Sequence, residues 1–246
     1  MHHLVIDLGN TKAKLGIYKD SVLTDFQSVE HTALPDLLEK LAHNNAFQRS
    51  IISSVIQEES SWKSILKAEG PLIELDHTTA LPIVNNYQTP ETLGRDRLAL
   101  AVAAWQQFPG ENVLAIDAGT SITYELVTAD AVYQGGAIAP GLHMRAQALH
   151  TFTQKLPFIP PREEVTPLGT TTESAILAGV VAAARAEMRG MIQYFQNQYA
   201  GLKVMLTGGD LNFFVNHLEN HIFAHPHSVL EGLHAILVYH VQQQLV

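Results

Sequence analysis

The chain has 246 residues, 46% of them apolar, and a formal net charge of −9 at neutral pH. This acidic balance argues against nucleic acid as the main partner, because phosphate backbones select basic surfaces. The absence of cysteine excludes disulfides and thiol chemistry. The length allows one large domain or two medium ones. No apolar run reads as a membrane span or signal peptide, so a cytoplasmic location is the default expectation.

Leu4, Val5 and Ile6 form a short apolar run of the kind that makes a strand covered on both faces. It ends on Asp7, followed by Gly9, Asn10 and Thr11, and an alternating strand resumes over residues 13–18. Taken alone this is a hairpin turn. It also suits a phosphate turn: Gly9 admits close approach, Asn10 and Thr11 can donate to phosphate oxygens, and Asp7 can face a neutralising cation. A third strand is expected near 22–28, a helix over 35–47, a strand in SIISSVI (50–56), a helix near 60–68 and a strand in PLIELD (71–76). A helix over 94–108, with Leu98, Val102 and Trp105, closes the first half.

LAIDAGTSITYELVTAD, from Leu114, repeats the opening in order of residue types. Asp7 maps to Asp117, Gly9 to Gly119 and Asp20 to Asp130, at a constant offset of 110 residues. A repeat this long predicts two similar domains rather than a solenoid. FPGEN at 108–112 is the best boundary, giving domains of 1–110 and 111–246. Two phosphate turns on opposite domains suit a nucleotide held between them. In the second half, strands are expected near 122–127 and 132–139, helices over 142–154 and 173–196, and a strand in KVMLTGGD (203–210).

Other segments carry chemistry. In NNYQTPETLGRDRLAL, Gly94 leads a helix start where Asp96 lies between Arg95 and Arg97. An acid in a helix's first turn is favoured by the macrodipole alone. Alternatively, an arginine holds an anionic substrate there while Asp96 takes a proton from a hydroxyl, which supplies the acceptor side of phosphoryl transfer. GGAIAPGL lets backbone approach a ligand or a neighbouring chain at both ends. In LGTTTESAILAGV, Thr171 or Thr172 serves as an N-cap or reaches a polar substrate. LTGGD suits an adenine or ribose lying over backbone, and equally a strand-to-helix turn. NHLENHIFAHPH places His217 and His221 four apart, followed by His225 and His227. No carboxylate or cysteine completes a convincing zinc set there and Pro226 interrupts the pattern, so a solvated edge is expected over metal binding.

Seven of these segments, DLGNTKAK, SSV (Ser53 to Val55), YQTPETLGRDR, DAGTSIT, GGAIAPGL, GTTTESA and LTGGD, occur in the order found in the type III pantothenate kinases, which the chain resembles. The resemblance implies an α/β chain of two ribonuclease H-like domains, the actin-like ATPase fold with a duplicated βββαβαβ core. It implies ATP-dependent phosphorylation of pantothenate, the first step towards coenzyme A, with Mg2+ accompanying ATP. It also implies a monovalent cation, potassium or ammonium, and a homodimer whose sites lie near the subunit interface. By the same resemblance Asp7, Leu8, Gly9, Asn10, Thr11, Lys12, Ala13 and Lys14 form the ATP phosphate segment, and Thr120 contacts ATP. Asp96 is the general base, and Tyr87, Gly94, Arg95, Asp96, Arg97 and Thr172 contact pantothenate, Thr172 from the partner subunit. Asp117 holds the monovalent cation. Another actin-like phosphotransferase and a non-catalytic regulator of the same fold are the alternatives, and retention of Asp7, Asp96 and Asp117 weighs against the regulator.

Overall fold

The computed structural model describes residues 2–44, 47–54, 62–218 and 222–244. In chain order the elements are β1 (His2–Leu8), β2 (Ala13–Lys19), β3 (Val22–Val29), α1 (Leu34–Asn44), β4 (Arg49–Ser54), α2 (Lys63–Glu69), β5 (Leu72–Glu74), β6 (Val84–Asn85) and α3 (Arg95–Gln107). They continue with β7 (Val113–Ala118), β8 (Ser121–Val127), β9 (Val132–Pro140), α4 (Leu142–Thr151), α5 (Thr172–Leu177), α6 (Ala183–Gln198), β10 (Lys203–Thr207), α7 (Leu211–Val215), β11 (Ile222–Ala224) and α8 (Ser228–Gln242). The chain forms two compact units. One comprises Met1–Gln107, Ala131–Tyr133 and Ser228–Val246, and the other Phe108–Asp130 and Gln134–His227.

In the first unit the sheet runs β3-β2-β1-β4-β5, with β1 antiparallel to β2 and parallel to β4. The apolar run of β1 sits at its centre, where Leu4, Val5 and Ile6 are fully buried, as a strand covered on both faces requires. Leu34 and Leu38 of α1 and Leu66 of α2 pack into one core with Leu4, Ile6 and Leu15. Helix α8 packs against β1, β4 and, most extensively, α3. Residues 98–104 of α3 are buried without a break, so this helix has no polar face in its middle. A Cβ on Gly232 would overlap the Ala99 carbonyl oxygen, so this glycine sets how closely α8 approaches α3.

Two histidines of α8 are core groups. His234 Nε2 lies 3.1 Å from His3 Nδ1, and its ring stacks on Tyr18 with centroids 4.0 Å apart. Burial pushes His234 down to about 4, so it stays neutral in the core. His240 Nε2 donates to the Ala80 carbonyl at 2.8 Å.

In the second unit β7 is the central strand, antiparallel to β8 and parallel to β10, which is parallel to β11. The sheet order is β11-β10-β7-β8-β9, extended at its end by β6, which pairs with the first-unit residues Val132 and Tyr133 at the start of β9. Counted from its own first strand, each sheet therefore has the order 3-2-1-4-5. Leu114, Ile116, Tyr124, Val181, Met188, Leu206 and Phe214 fill the second core.

The expected strands and helices form with defined differences. The helix expected over 173–196 is α5, a π-helical turn (Ala178–Ala182) and α6 in succession. The helix expected over 142–154 ends at Thr151, and α1 ends at Asn44 rather than at Phe47, which is buried in the first core. Val55 and Ile56 of the expected strand 50–56, and the first two residues of the expected helix 60–68, lie outside the described residues. The elements β6, α7, β11 and α8 are not among those expected from the sequence. The short ones carry too few residues for a period to register. Helix α8 is apolar nearly all round, so it lacks the polar face that marks an amphipathic helix.

Candidate active site

Asp7 is the penultimate residue of β1, and the parallel register sets it opposite Ser53 of β4 and, antiparallel, opposite Lys14 of β2. Its carboxylate is 5% exposed and accepts a 2.7 Å hydrogen bond from Ser53 Oγ, itself completely buried. Burial pushes Asp7 up to about 6; the Ser53 hydrogen bond and Lys14 pull the other way without offsetting it, and the negative charge of Asp96 adds to the rise. The β1-β2 connection is a hairpin closed by Gly9 N donating to Lys12 O at 3.2 Å. Asn10, Thr11 and Lys12 project from its tip, whereas the Leu8 and Ala13 side chains are buried in the first core and leave only backbone to face a ligand.

Helix α3 delivers the second group of residues. Its first turn holds Asp96, half-buried, whose Oδ1 accepts from the Arg97 backbone N at 2.8 Å, an interaction that fixes the side chain at the helix start. The Arg95 guanidinium donates to the Leu93 carbonyl. Arg97 is 6% exposed, and its guanidinium carbon lies 5.6 Å from the centroid of the Tyr87 ring, a cation–π arrangement. Asp7, Lys14, Asp96, Arg97 and Tyr87, chosen from separate stretches of sequence, thus belong to one unit, with Asp96 electrostatically coupled to Asp7.

The second unit repeats the first arrangement with different neighbours. Asp117, near the end of β7, is half-buried, and the parallel register puts Thr207 of β10 opposite it, where the first unit has Ser53 opposite Asp7. Gly208 follows with φ +103°, a backbone that L side chains rarely adopt. A Cβ there would overlap the Ala118 carbonyl and Asp117 Oδ1, so LTGGD acts here as a tight strand-to-helix turn against Asp117. Asp210, at the end of that turn, is pushed up by burial. Thr120 is exposed on the β7-β8 turn, and its carbonyl accepts from Gly141 N at 3.2 Å. Substituted carbons on Gly136 and Gly141 would overlap the Tyr124 and the Gly119 and Thr120 carbonyls, respectively, so the GGAIAPGL glycines admit this chain's own backbone.

The choice between Thr171 and Thr172 as cap is resolved. Thr171 Oγ1 accepts from Ser174 N at 3.2 Å while Ser174 Oγ accepts from Thr171 N at 2.9 Å, a reciprocal capping box. Thr172 is the first helical residue and is exposed.

Ser53, Thr207 and Tyr133 are site neighbours to which sequence reasoning gave no role. Their signal is strand register, which a single sequence does not display.

The residues were tested for fit to a cation. Among the described residues no cluster of three or more His, Cys, Asp or Glu side chains can hold a metal ion, and His221 of the histidine segment lies outside them. A dedicated protein cage is therefore not formed by these residues. A Mg2+ ion that arrives on phosphates and keeps several waters needs only one or two carboxylates, and the buried, poorly compensated Asp7 fits that demand.

The family profile described as type III pantothenate kinase matches residues 3–194. A type III pantothenate kinase of Christiangramia forsetii is 42% identical over 98% of this chain and 100% of its own length. One from Phocaeicola vulgatus is 44% identical over 96% and 98%. Among solved structures, a conserved Campylobacter jejuni protein described as a Baf family transcriptional activator superposes with TM-score 0.66 at 20% identity, covering 97% of this chain and 99% of that one. The activator of 2-hydroxyisocaproyl-CoA dehydratase from Clostridium difficile, with bound ADPNP, superposes with TM-score 0.56 at 12% identity over 100% and 98%. The structural likenesses carry the fold, the duplicated ribonuclease H-like one. With a profile match over most of its length and full-length relatives above 40% identity, the chain belongs to the type III pantothenate kinase family.

Proposed function

We propose that the protein transfers the γ-phosphoryl group of ATP to the primary hydroxyl of pantothenate, giving ADP and 4'-phosphopantothenate, in the cytoplasm and as the first step of coenzyme A synthesis. The observation that carries this reading is the grouping of Asp7, Asp96 and Arg97 in a chain that belongs to this family. The hairpin backbone and the side chains of Asn10, Thr11 and Lys12 bind the ATP phosphates, with Thr120 as a further ATP contact. Mg2+ bound with ATP neutralises the phosphate charge, and Asp7 faces it. Arg97, Arg95 and the Gly94 backbone hold the substrate's anionic end against the Tyr87 ring. The Asp96 carboxylate oxygen that does not accept from Arg97 N orients and deprotonates the attacking hydroxyl. Asp117 holds a monovalent cation, potassium or ammonium.

We take 1–110 and 111–246 as the two halves of the duplication, and the enzyme as a homodimer. The face formed by Ala175, Gly179 and Ala183 is exposed, and a Cβ on Gly179 would meet nothing within 4 Å. Such a face suits close approach of a second helix. Phe152 and Leu168, 85% and 80% exposed in the same unit, add apolar surface. With Thr172 serving the neighbour's site, mixing Asp96→Asn and Thr172→Val chains should restore up to about half of native activity per heterodimer by two-site symmetry. Heterodimers seen by native mass spectrometry without recovered activity would confine Thr172 to its own chain.

A coupled assay with ATP, Mg2+, potassium and a panel of small alcohols tests the reaction itself. Pantothenate should be the preferred acceptor, with one phosphorylated product per ADP by mass spectrometry. Preference for another acceptor would mark a different phosphotransferase, and no ADP with any acceptor a non-catalytic protein.

A further inference from the structure

Tyr133 is completely buried, belongs to none of the motifs that mark the site, and has no part in the chemistry described above. It nevertheless lies against the residue assigned to the substrate wall. Its ring faces that of Tyr87 with centroids 6.2 Å apart and planes 12° from parallel, an offset stack. The Arg97 guanidinium is a second neighbour of Tyr87, 5.6 Å from the ring centroid.

The backbone around Tyr87 is pinned to the same strand. Val84 N donates to Ala131 O at 2.9 Å and Asn86 N to Tyr133 O at 3.0 Å, which makes the short β6-β9 ladder. Tyr87 N in turn donates to Asn85 Oδ1 at 3.0 Å. The segment before Tyr87 has only two strand residues, too few to hold a half-buried side chain in one orientation by themselves. Ring and ladder act on different atoms of Tyr133: its carbonyl anchors the backbone of the Tyr87 segment, and its ring limits how the Tyr87 ring turns.

We infer that Tyr133 is a positioning residue for the substrate wall, its buried ring backing Tyr87 and holding it in register with the Arg97 guanidinium. The inference rests on the reading of Tyr87 and Arg97 as pantothenate contacts. A tyrosine ring with only two side-chain torsions is cheap to orient once one face is occupied, and a pre-set wall binds its ligand without a further ordering cost. Because the side chain can be changed while the Tyr133 carbonyl stays, the ring's effect can be separated from the ladder's.

The test compares steady-state kinetics of Tyr133→Phe, Tyr133→Leu, Tyr87→Leu and the Tyr87→Leu/Tyr133→Leu double variant. Tyr133→Leu should raise the KM for pantothenate about five- to tenfold, the size expected for loss of one aromatic contact, with kcat and the KM for ATP within about twofold of native. Tyr133→Phe keeps the ring and should leave the pantothenate KM much closer to native than Tyr133→Leu does, which separates the ring from the hydroxyl. The double variant should match Tyr87→Leu alone, since Tyr133 acts through Tyr87. KM does not depend on the folded fraction, so a less stable Tyr133→Leu chain still gives a decisive reading. A normal pantothenate KM in Tyr133→Leu beside a raised one in Tyr87→Leu overturns this inference alone, as does an additive double variant or a Phe variant as impaired as Leu. A normal KM in Tyr87→Leu overturns the wall reading and this inference with it.

Discussion

The turn that follows β1 and the turn that follows β7 come from one plan and keep their acids differently. Both units have the sheet order 3-2-1-4-5, and both set a small hydroxyl residue of the fourth strand opposite the acid, Ser53 for Asp7 and Thr207 for Asp117. Even the next hairpin is repeated, with positive φ at Ser21 and, 110 residues on, at Ala131. Yet Asp7 is buried, bonded to Ser53 and in the field of Asp96, while Asp117 is half-buried and bounded by Gly208. Copies of one turn can thus carry different chemistry when their neighbours differ. The first has a second carboxylate and a buried arginine from α3 in its unit.

The largest effect should come from the residue that has no counterpart at the second turn. Asp96→Asn keeps the hydrogen bond from Arg97 N through its amide oxygen but cannot take a proton, so kcat should fall about 100-fold or more while calorimetry still detects ATP and pantothenate binding. Turnover near native would remove Asp96 from the mechanism. Next in size is Gly208→Ala, which forces a side chain into a left-handed backbone and against the Ala118 carbonyl and Asp117. Chemical denaturation should show a loss of roughly 2–3 kcal/mol. Gly9→Ala, in the turn that follows β1, has a Cβ position 3.4 Å from Lys12 O and should cost less.

A smaller prediction separates the acids by pH. Asp7 holds its proton more tightly when folded, at about 6 against 3.8, so its contribution to stability falls as pH rises from about 4 to about 6 and is constant above. Asp7→Asn abolishes that contribution. Measured without nucleotide or metal, the stability of the variant relative to native should therefore rise by roughly 2 kcal/mol between pH 4 and pH 7, whatever constant offset the amide introduces. A flat difference would mean that Asp7 is not held as a strained carboxylate.

Much of this was legible in the residues. The apolar runs before Asp7 and Asp117 and their constant spacing exposed the duplication, and the Gly94 to Arg97 segment announced a helix start. Register was not legible: that Ser53 and Thr207 face the acids, or that Tyr133 underlies Tyr87, depends on which strands pair, and a strand shows only its period. Helix α8 is hard to read because it is apolar nearly all round and has no polar face to mark a period, and its histidines are core groups, His234 beside His3 and His240 on the Ala80 carbonyl. Gly136 and Gly141 of GGAIAPGL, expected to admit a ligand or a neighbouring chain, lie against this chain's own backbone, a distinction that only neighbouring backbone can draw.

The central claim, that the second turn has become a monovalent-cation site while the first serves the phosphates, is tested most directly by the rate of pantothenate phosphorylation in potassium against sodium. The account predicts a rate several-fold higher in potassium for the native enzyme, since a site built to one ion's size and coordination discriminates against a smaller one, and no difference between the salts for Asp117→Asn. Equal native rates in the two salts, or a potassium preference that survives Asp117→Asn, would contradict it.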